Sequence, residues 1–241
     1  MKRLLCVFAH PDDECYGPGG TIARCALEGT EVFMTTFTAG EAGTIGVSKT
    51  LPRDELARLR RAELAAACGA LGVREHRIVG APDGGVASVD PAWAVGEILA
   101  DIRKCKPQVA LTFHRRGVSG HPDHIAVAGF LDRAIAEAGD EGPSVCYEWG
   151  IPRSKSRLYE RANLAPLEDG ETAAVVTIGE EAMDRKIAAI RAHATQHEFF
   201  VSLEQKFDYR AMSSPEHFAR GRTRVVFTGP VVDLFEGIEA D

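Results

Sequence analysis

The sequence predicts an α/β protein: a Rossmann-like, doubly wound, mostly parallel sheet with helices on both faces. Three observations carry this. Short apolar runs alternate with amphipathic, helix-period stretches along the chain. The apolar runs are near-continuous, as in strands buried on both faces, where one-sided strands would alternate. The length of 241 residues and the 45% apolar composition suit one core, so residues 1–241 are expected to form a single domain.

Leu4–Ala9 is the first expected strand. Gly17-Pro18-Gly19-Gly20 then reads as a turn that brings helix Thr21–Glu28 close to the sheet. It lacks the GxGxxG spacing, and Pro18 has no backbone N–H, so it does not read as a phosphate loop. Glu31–Phe37, β-branched and aromatic, is the second strand. Arg53–Leu71 is a long helix closed by Gly72, the residue type favoured just past a helix end. Arg77–Val79 is a short strand, Pro91–Lys104 a helix, Val109–Phe113 a strand and Pro122–Ala138 a helix opened by proline at its first position. Ser144–Trp149 and Ala173–Ile178 are strands, Glu180–Thr195 is a helix, and Arg222–Phe227 is the last strand. Ile151–Gly170 is polar, irregular and long for a loop, and reads as either a surface excursion or a lid.

The formal charge of −7 gives no basic face for phosphate neutralisation, so nucleic acid is not an expected partner. No apolar run approaches the length of a membrane span, and Met1-Lys2-Arg3 leads straight into a strand, unlike a secretory signal. The six cysteines are widely spaced without a CxxC pair. They read as reduced packing thiols of a cytoplasmic protein.

Open parallel sheets bind ligands beyond the carboxyl ends of their strands. Two histidine motifs fall there. His10-Pro11-Asp12-Asp13-Glu14 follows the first strand. Its adjacent carboxylates would repel a phosphate but suit a cation, and Pro11 biases His10 toward an extended conformation at the strand tip. His10 and Asp13 can converge on a zinc-type ion, with Asp12 between them. An acidic helix-start cluster is the plainer alternative.

His121-Pro122-Asp123-His124 follows the strand Val109–Phe113 through a loop. Its histidines stand three apart at a helix start, where the dipole favours neutral imidazole, the metal-binding form. One can ligate while the other remains for proton transfer, with Asp123 able to hold that free imidazole and raise its pKa. Two His and one Asp with an open position form a catalytic set, and no paired cysteines are available for a closed structural site.

The two motifs together resemble those of the PIG-L/LmbE-like zinc-dependent N-acetylglucosaminyl deacetylases. The resemblance extends over most of the chain, through Thr38-Ala39-Gly40-Glu41-Ala42-Gly43, Arg60-Arg61-Ala62-Glu63, Pro82-Asp83-Gly84, Lys186 and His193-Ala194-Thr195-Gln196. It implies that His10, Asp13 and His124 hold Zn2+, and that Asp12 is the general base. It implies that His121, oriented by Asp123, stabilises the oxyanion and protonates the leaving amine. Arg60 and Asp83 would hold sugar hydroxyls or a phosphate-like substituent. Glu14 would support its loop through hydrogen bonds.

His193 would line the pocket or cap its helix, and His197 lies near the same helix end. His76 and His217 read as surface residues. Some sugar-thiol deacetylases of the family carry tyrosine two residues before the first histidine of the second motif. Ser119 stands there in this chain, so no role of that tyrosine carries over.

The implied reaction is hydrolysis of an N-acetyl group from an amino-sugar conjugate, a small-molecule substrate, releasing acetate. An amidohydrolase acting on a non-sugar N-acyl substrate is the first alternative. A non-catalytic nucleotide-binding module is a distant one. Two imidazoles and a carboxylate also suit Fe2+, and homo-oligomerisation stays open.

Overall fold

The computed structural model describes residues 1–46, 50–156, 164–196, 198–206 and 208–238. Its strands are β1 (Arg3–Phe8), β2 (Glu31–Thr36), β3 (Glu75–Ile78), β4 (Val109–Phe113), β5 (Val145–Gly150), β6 (Thr172–Val176) and β7 (Glu216–Thr223). The helices are α1 (Asp13–Tyr16), α2 (Gly19–Leu27), α3 (Arg53–Leu71), α4 (Pro91–Cys105), α5 (Gly117–Gly120), α6 (Pro122–Ala138), α7 (Arg153–Ser156), α8 (Glu180–Ala192), α9 (Glu198–Lys206) and α10 (Tyr209–Ser213).

The strands form one sheet in the order β3-β2-β1-β4-β5-β7-β6. The five from β3 to β5 are mutually parallel, and β7 runs antiparallel between β5 and β6. The expected doubly wound, mostly parallel sheet is present. Right-handed crossovers dictate the layers. The chain moves one way from β1 through β2 to β3 and the other way from β4 to β5. Accordingly α2, α3 and α8 pack together in one group, and α4 packs with α6 in another. The direction reverses between β1 and β4, the position where open sheets leave a crevice.

The core explains the strand order. Leu4, Cys6, Val7 and Phe8 of β1 and every residue of β4 are buried. Phe8 meets Phe113 edge to face, with ring centroids 5.2 Å apart. Full burial of each such side chain contributes about 1.5–3 kcal/mol relative to exposure. β3 lies at the sheet edge and is correspondingly polar, which places its observed start at Glu75, two residues before the expected one.

Two terminal elements differ from expectation. Helix α8 stops at Ala192, and His193 is its cap residue, so it does not reach Thr195. The last strand is Glu216–Thr223, and only Arg222 and Thr223 belong to the expected Arg222–Phe227. The apolar run that suggested the later position leaves Val226 93% exposed. The true strand was hidden by charge at its buried start. Glu216 is buried, and its carboxylate accepts the N–H groups of Gly20 and Thr21 at 2.9 and 2.8 Å, the Thr21 hydroxyl at 2.6 Å and Lys186 Nζ at 2.7 Å. Gly20 is needed there, because a Cβ would lie 2.8 Å from both Glu216 and Ile178. The expected close approach of this glycine turn is therefore observed. His217 lies within β7 and is half-buried, not on the surface as expected, while His76 is exposed. Helices α9 and α10 have no counterpart in the sequence reading.

The six cysteines are free and buried. Among the described residues no helix is long and apolar enough to cross a membrane.

The Lys186–Glu216 pair generates a stability prediction. Lys186→Met removes one charge from a buried pair and should cost about 3–5 kcal/mol in urea unfolding. A cost under about 1 kcal/mol would show that Gly20, Thr21 and solvent satisfy Glu216 without the lysine.

Candidate active site

The site is built at the ends of β1 and β4. Beyond β1 the chain turns sharply at Asp12, whose φ of 108° is left-handed and unusual for a non-glycine residue. Hydrogen bonds hold this turn. Asp12 N–H donates to Glu14 Oε2 at 2.9 Å, and His10 N–H donates to Asp13 Oδ2 at 2.7 Å. The Arg60 guanidinium donates to the Pro11 carbonyl, to Asp12 Oδ2 at 3.0 Å and to the Gly40 carbonyl at 3.0 Å. Gly40 has φ of 70°, and a Cβ there would fall 2.4 Å from Arg60. Behind the turn, Glu14 Oε1 lies 2.6 Å from His193 Nε2, with both side chains wholly buried.

Beyond β4, α6 begins with His121 as its cap. The His121 Nδ1 accepts the N–H of Asp123 at 3.2 Å. One turn into the helix, His124 faces His10 and Asp13. His124 Nε2 is 3.3 Å from His10 Nδ1 and 3.3 Å from Asp13 Oδ1, and His10 Nδ1 is 3.4 Å from Asp13 Oδ2. Tetrahedral zinc with ligands at about 2.0–2.1 Å requires donor atoms about 3.3–3.4 Å apart. The two imidazole nitrogens meet that spacing, and each meets it with one of the two Asp13 oxygens, Oδ1 for His124 and Oδ2 for His10.

The tautomers agree as well. His124 Nδ1 is 3.1 Å from the Gly117 carbonyl, which places a proton on Nδ1 and leaves Nε2 with a free lone pair. His10 Nε2 lies 3.1 Å from Asp83 and 3.2 Å from Asp123, which directs the lone pair of Nδ1 to the cluster. Ligating histidines are held in this way. His10, Asp13 and His124 thus fit a divalent cation. The charge balance of the bare cluster points the same way. Burial disfavours a charged His10, yet hydrogen bonds to Asp13 and Asp83 push it up to about 11. Burial would raise Asp13, yet His124 and His10 hold it well below the usual carboxylate range.

A second triplet, His10, His121 and Asp123, also lies within 4.8 Å. It is the poorer set. The Asp123 carboxylate already faces His10 Nε2 and accepts the N–H groups of Gly84 at 2.9 Å and Val86 at 3.1 Å.

Four residues of the expected site take partners within the protein. Asp123 presents its carboxylate to His10 Nε2, while its backbone N–H donates to His121 Nδ1. Asp83 lies 3.1 Å from His10 Nε2 and accepts the Ala42 N–H at 2.8 Å. Arg60 is buried and donates to the Pro11 and Gly40 carbonyls and to Asp12. His193 is buried against Glu14 and does not line the pocket. Glu14 supports the loop as expected.

His121 also differs. It stacks beside His124 at 4.8 Å between ring centroids and meets His10 edge-on at 4.9 Å. Burial lowers its pKa, and the neighbouring His124 and His10 reinforce this. With Nδ1 accepting from the Asp123 backbone, Nε2 is the atom that carries a proton and can donate a hydrogen bond.

A cavity of about 260 Å3 opens over Asp12, Asp13 and His124. Burial pushes the Asp12 carboxyl up to about 6, against the pull of Arg60. Tyr16, Trp149, Tyr209 and Gln196 form much of the cavity wall. None was expected from the sequence, although Trp149 could have been found by extending the strand-end rule to β5, and Tyr16 follows Asp13 by three residues on the same short helix. Ile151 and Leu164 of the expected lid segment also line the cavity, as does Ser119. Residues 157–163 of that segment, and His197, lie outside the described residues.

The ligand assignment predicts graded effects on metal affinity. His10→Ala, Asp13→Ala or His124→Ala should abolish tight binding in a chelator competition assay, whereas Asp83→Asn should weaken it about 10–100-fold. An unchanged affinity in Asp83→Asn would detach Asp83 from His10 and return it to the substrate.

Comparison with known proteins places this geometry. Residues 5–135 match the PIG-L family, described as GlcNAc-PI de-N-acetylase. A protein of Acidothermus cellulolyticus named 1D-myo-inositol 2-acetamido-2-deoxy-alpha-D-glucopyranoside deacetylase is 33% identical, over 99% of this chain and 96% of its own. The fold is shared with N,N'-diacetylchitobiose deacetylase of Pyrococcus horikoshii, at TM-score 0.69, 21% identity, 91% of this chain and 84% of that one. It is also shared with the 4-carboxy-2-hydroxymuconate hydratase GalB of Pseudomonas putida, at TM-score 0.73, 20% identity, 95% of this chain and 99% of that one. With more than half of its length matched and a full-length relative at one-third identity, the chain belongs to the PIG-L family of de-N-acetylases.

Proposed function

We propose that this protein is a zinc-dependent deacetylase that hydrolyses the N-acetyl group of an N-acetylglucosamine-type conjugate, releasing acetate and a free amino-sugar. The observation that carries this reading is the placement of Asp12. It stands next to a three-donor cation site, on the wall of the same cavity, with its carboxyl raised toward neutrality. A relative that spans the chain is named for deacetylating an acetamido-glucopyranoside. Tyr16, Trp149 and Tyr209 offer apolar faces with polar tips, which suit the two-sided surface of a sugar ring.

His10, Asp13 and His124 would hold a divalent ion, which would acidify a water and polarise the acetyl carbonyl. Zinc fits the donor spacing, and Fe2+ is the competing ion for this donor set. The chain's own residues do the rest. Asp12 removes a proton from the water that attacks the carbonyl carbon, and Arg60 and Glu14 keep the carboxylate at that position through the turn. His121, neutral, is assigned a hydrogen bond from Nε2–H to the developing oxyanion. The proton reaching the leaving amine is assigned to Asp12, which acquired it from water.

A non-sugar N-acyl substrate is the second reading, and one observation favours it. Phe113, Val118, Ile151 and Leu164 add apolar side chains to the cavity wall. Acetate release measured across N-acetyl amino-sugars and longer N-acyl amides decides between the two. Turnover confined to the longer acyl amides would overturn the sugar assignment.

Asp12→Ala should retain metal and fold while kcat falls about 10²–10⁴-fold. His121→Ala should cost about 10²–10³-fold, with metal retained, if its hydrogen bond reaches the oxyanion. Because a base works only when deprotonated, wild-type activity should fall as pH drops through Asp12's pKa. That lies at or below about 6, since a bound cation lowers it further. Asp12→Asn should abolish this acidic limb. Persistence of the limb in that variant would assign it to another group.

A further inference from the structure

A second cavity, of about 420 Å3, lies at the opposite end of the sheet. Its wall comes from the amino-terminal ends of β1, β4 and β5, the carboxyl end of α4 and the turn at 139–142. β1 spans six residues between this cavity and the metal cluster, about 20 Å at 3.3 Å per residue. No role in the deacetylase reaction reaches it.

Its charge is opposite to that of the chain. Within an overall −7, Arg3, Arg103, Lys106 and Arg224 converge here against Asp140 and Glu141. Arg224 is already committed. It donates to the Gly139 carbonyl at 2.7 Å, the Gly142 carbonyl at 2.7 Å and Asp140 at 3.0 Å. Arg3, Arg103 and Lys106 have no carboxylate partner among the described residues. The usual account of cations at a helix end, pairing with the dipole and outer-surface acids, fits Lys104, which bonds Glu75 on the far side. It does not explain why Arg103 and Lys106 face the cavity.

Two fixed contacts show that the wall is organised. Arg3 Nε donates to the Lys106 carbonyl at 2.9 Å, and Lys106 adopts φ of 46°. Gln108 is only 7% exposed, and its Oε1 accepts the Arg3 N–H at 2.8 Å. That bond sets the orientation of the amide, and the Gln108 Nε2 is left buried without an acceptor. A buried donor without a partner costs about 1–3 kcal/mol, so a wall that retains one is suited to an incoming acceptor.

We propose that this cavity binds a small polyanion, a molecule bearing two or more phosphate or carboxylate groups and no larger than a sugar phosphate. Several anionic groups are required because each solvent-facing cation contributes modestly alone. Oxygen anions match the Arg3, Arg103 and Lys106 donors on the wall, and the volume falls in the small-molecule range.

The test uses full-length, metal-loaded protein titrated calorimetrically at low salt with pyrophosphate, citrate and, as a neutral control, glucose. One saturable site for pyrophosphate or citrate is expected, and the tighter of the two identifies phosphate or carboxylate as the preferred group. Arg103→Glu and Lys106→Glu, both on exposed positions, should each weaken binding at least tenfold, and raised salt should weaken it further. The anion could instead bind the metal, so His124→Ala provides the control, and binding should survive in it. Loss of binding in His124→Ala with no effect of Arg103→Glu would place the anion at the metal and overturn the proposal. Absence of saturable binding by both anions would do the same.

Discussion

The structure depends on gathering carboxylates at one strand tip. Asp13, Asp83 and Asp123 all lie within 3.4 Å of the His10 ring, and Asp12 and Glu14 flank it in sequence. Such a concentration in a half-dry site is unfavourable unless each negative group has a donor. The surrounding architecture supplies those donors. Arg60 crosses from α3 to Asp12, His193 crosses from the end of α8 to Glu14, and Gly84 and Val86 offer backbone N–H groups to Asp123. Elements distant in sequence are thus tied to one turn. What remains unbalanced sits between His10, Asp13 and His124, where a cation completes the set.

The same balance explains why residues that read as substrate ligands turned inward. In sequence, Arg60 and Asp83 are polar residues in a helix and in a loop near a binding crevice, and nothing local says which way they face. Their direction is set by partners 48 and 73 residues away, Asp12 and His10. The convergence of His10, Asp13 and His124 was legible because a strand tip and a helix start fix their direction locally. The parallel strands were legible for a similar reason, since burial on both faces writes a continuous apolar run. The antiparallel pair was not. β7 begins with a buried glutamate whose charge is answered by Lys186 on another element, so its polarity resembled surface. Tyr209 of α10 was invisible as a wall residue because α10 itself carries no periodic signal over five residues.

His121 shows how a motif can be right about position and incomplete about chemistry. Its place beside the ligands follows from a helix start, but the same helix start places the Asp123 N–H on Nδ1. That contact favours a neutral ring. It also leaves Asp123 free to serve His10, so the motif's acidic residue strengthens the cation site. Asp12, on the cavity wall, has a carboxyl that burial raises to about 6, which suits the proton-transfer role proposed for it.

The reaction class and the substrate choice rest on different parts of the molecule. Around the cation site the contacts run largely to backbone: Gly117 and Gly40 carbonyls, and Gly84, Val86 and Ala42 N–H groups. Backbone contacts depend on chain path, so they persist through side-chain replacement wherever the fold persists. The cavity wall is different. Tyr16, Trp149 and Tyr209 come from α1, β5 and α10 and Leu164 from the segment before β6, so the wall depends on which side chains these separate segments carry. A protein named as a hydratase shares this fold at 20% identity, so the fold does not decide the reaction. Amide hydrolysis and hydration both begin with an activated water and a nearby base. A shared chain path can therefore hold that pair while the wall determines which electrophile is brought to it, and in this chain both aromatic and aliphatic side chains line that wall.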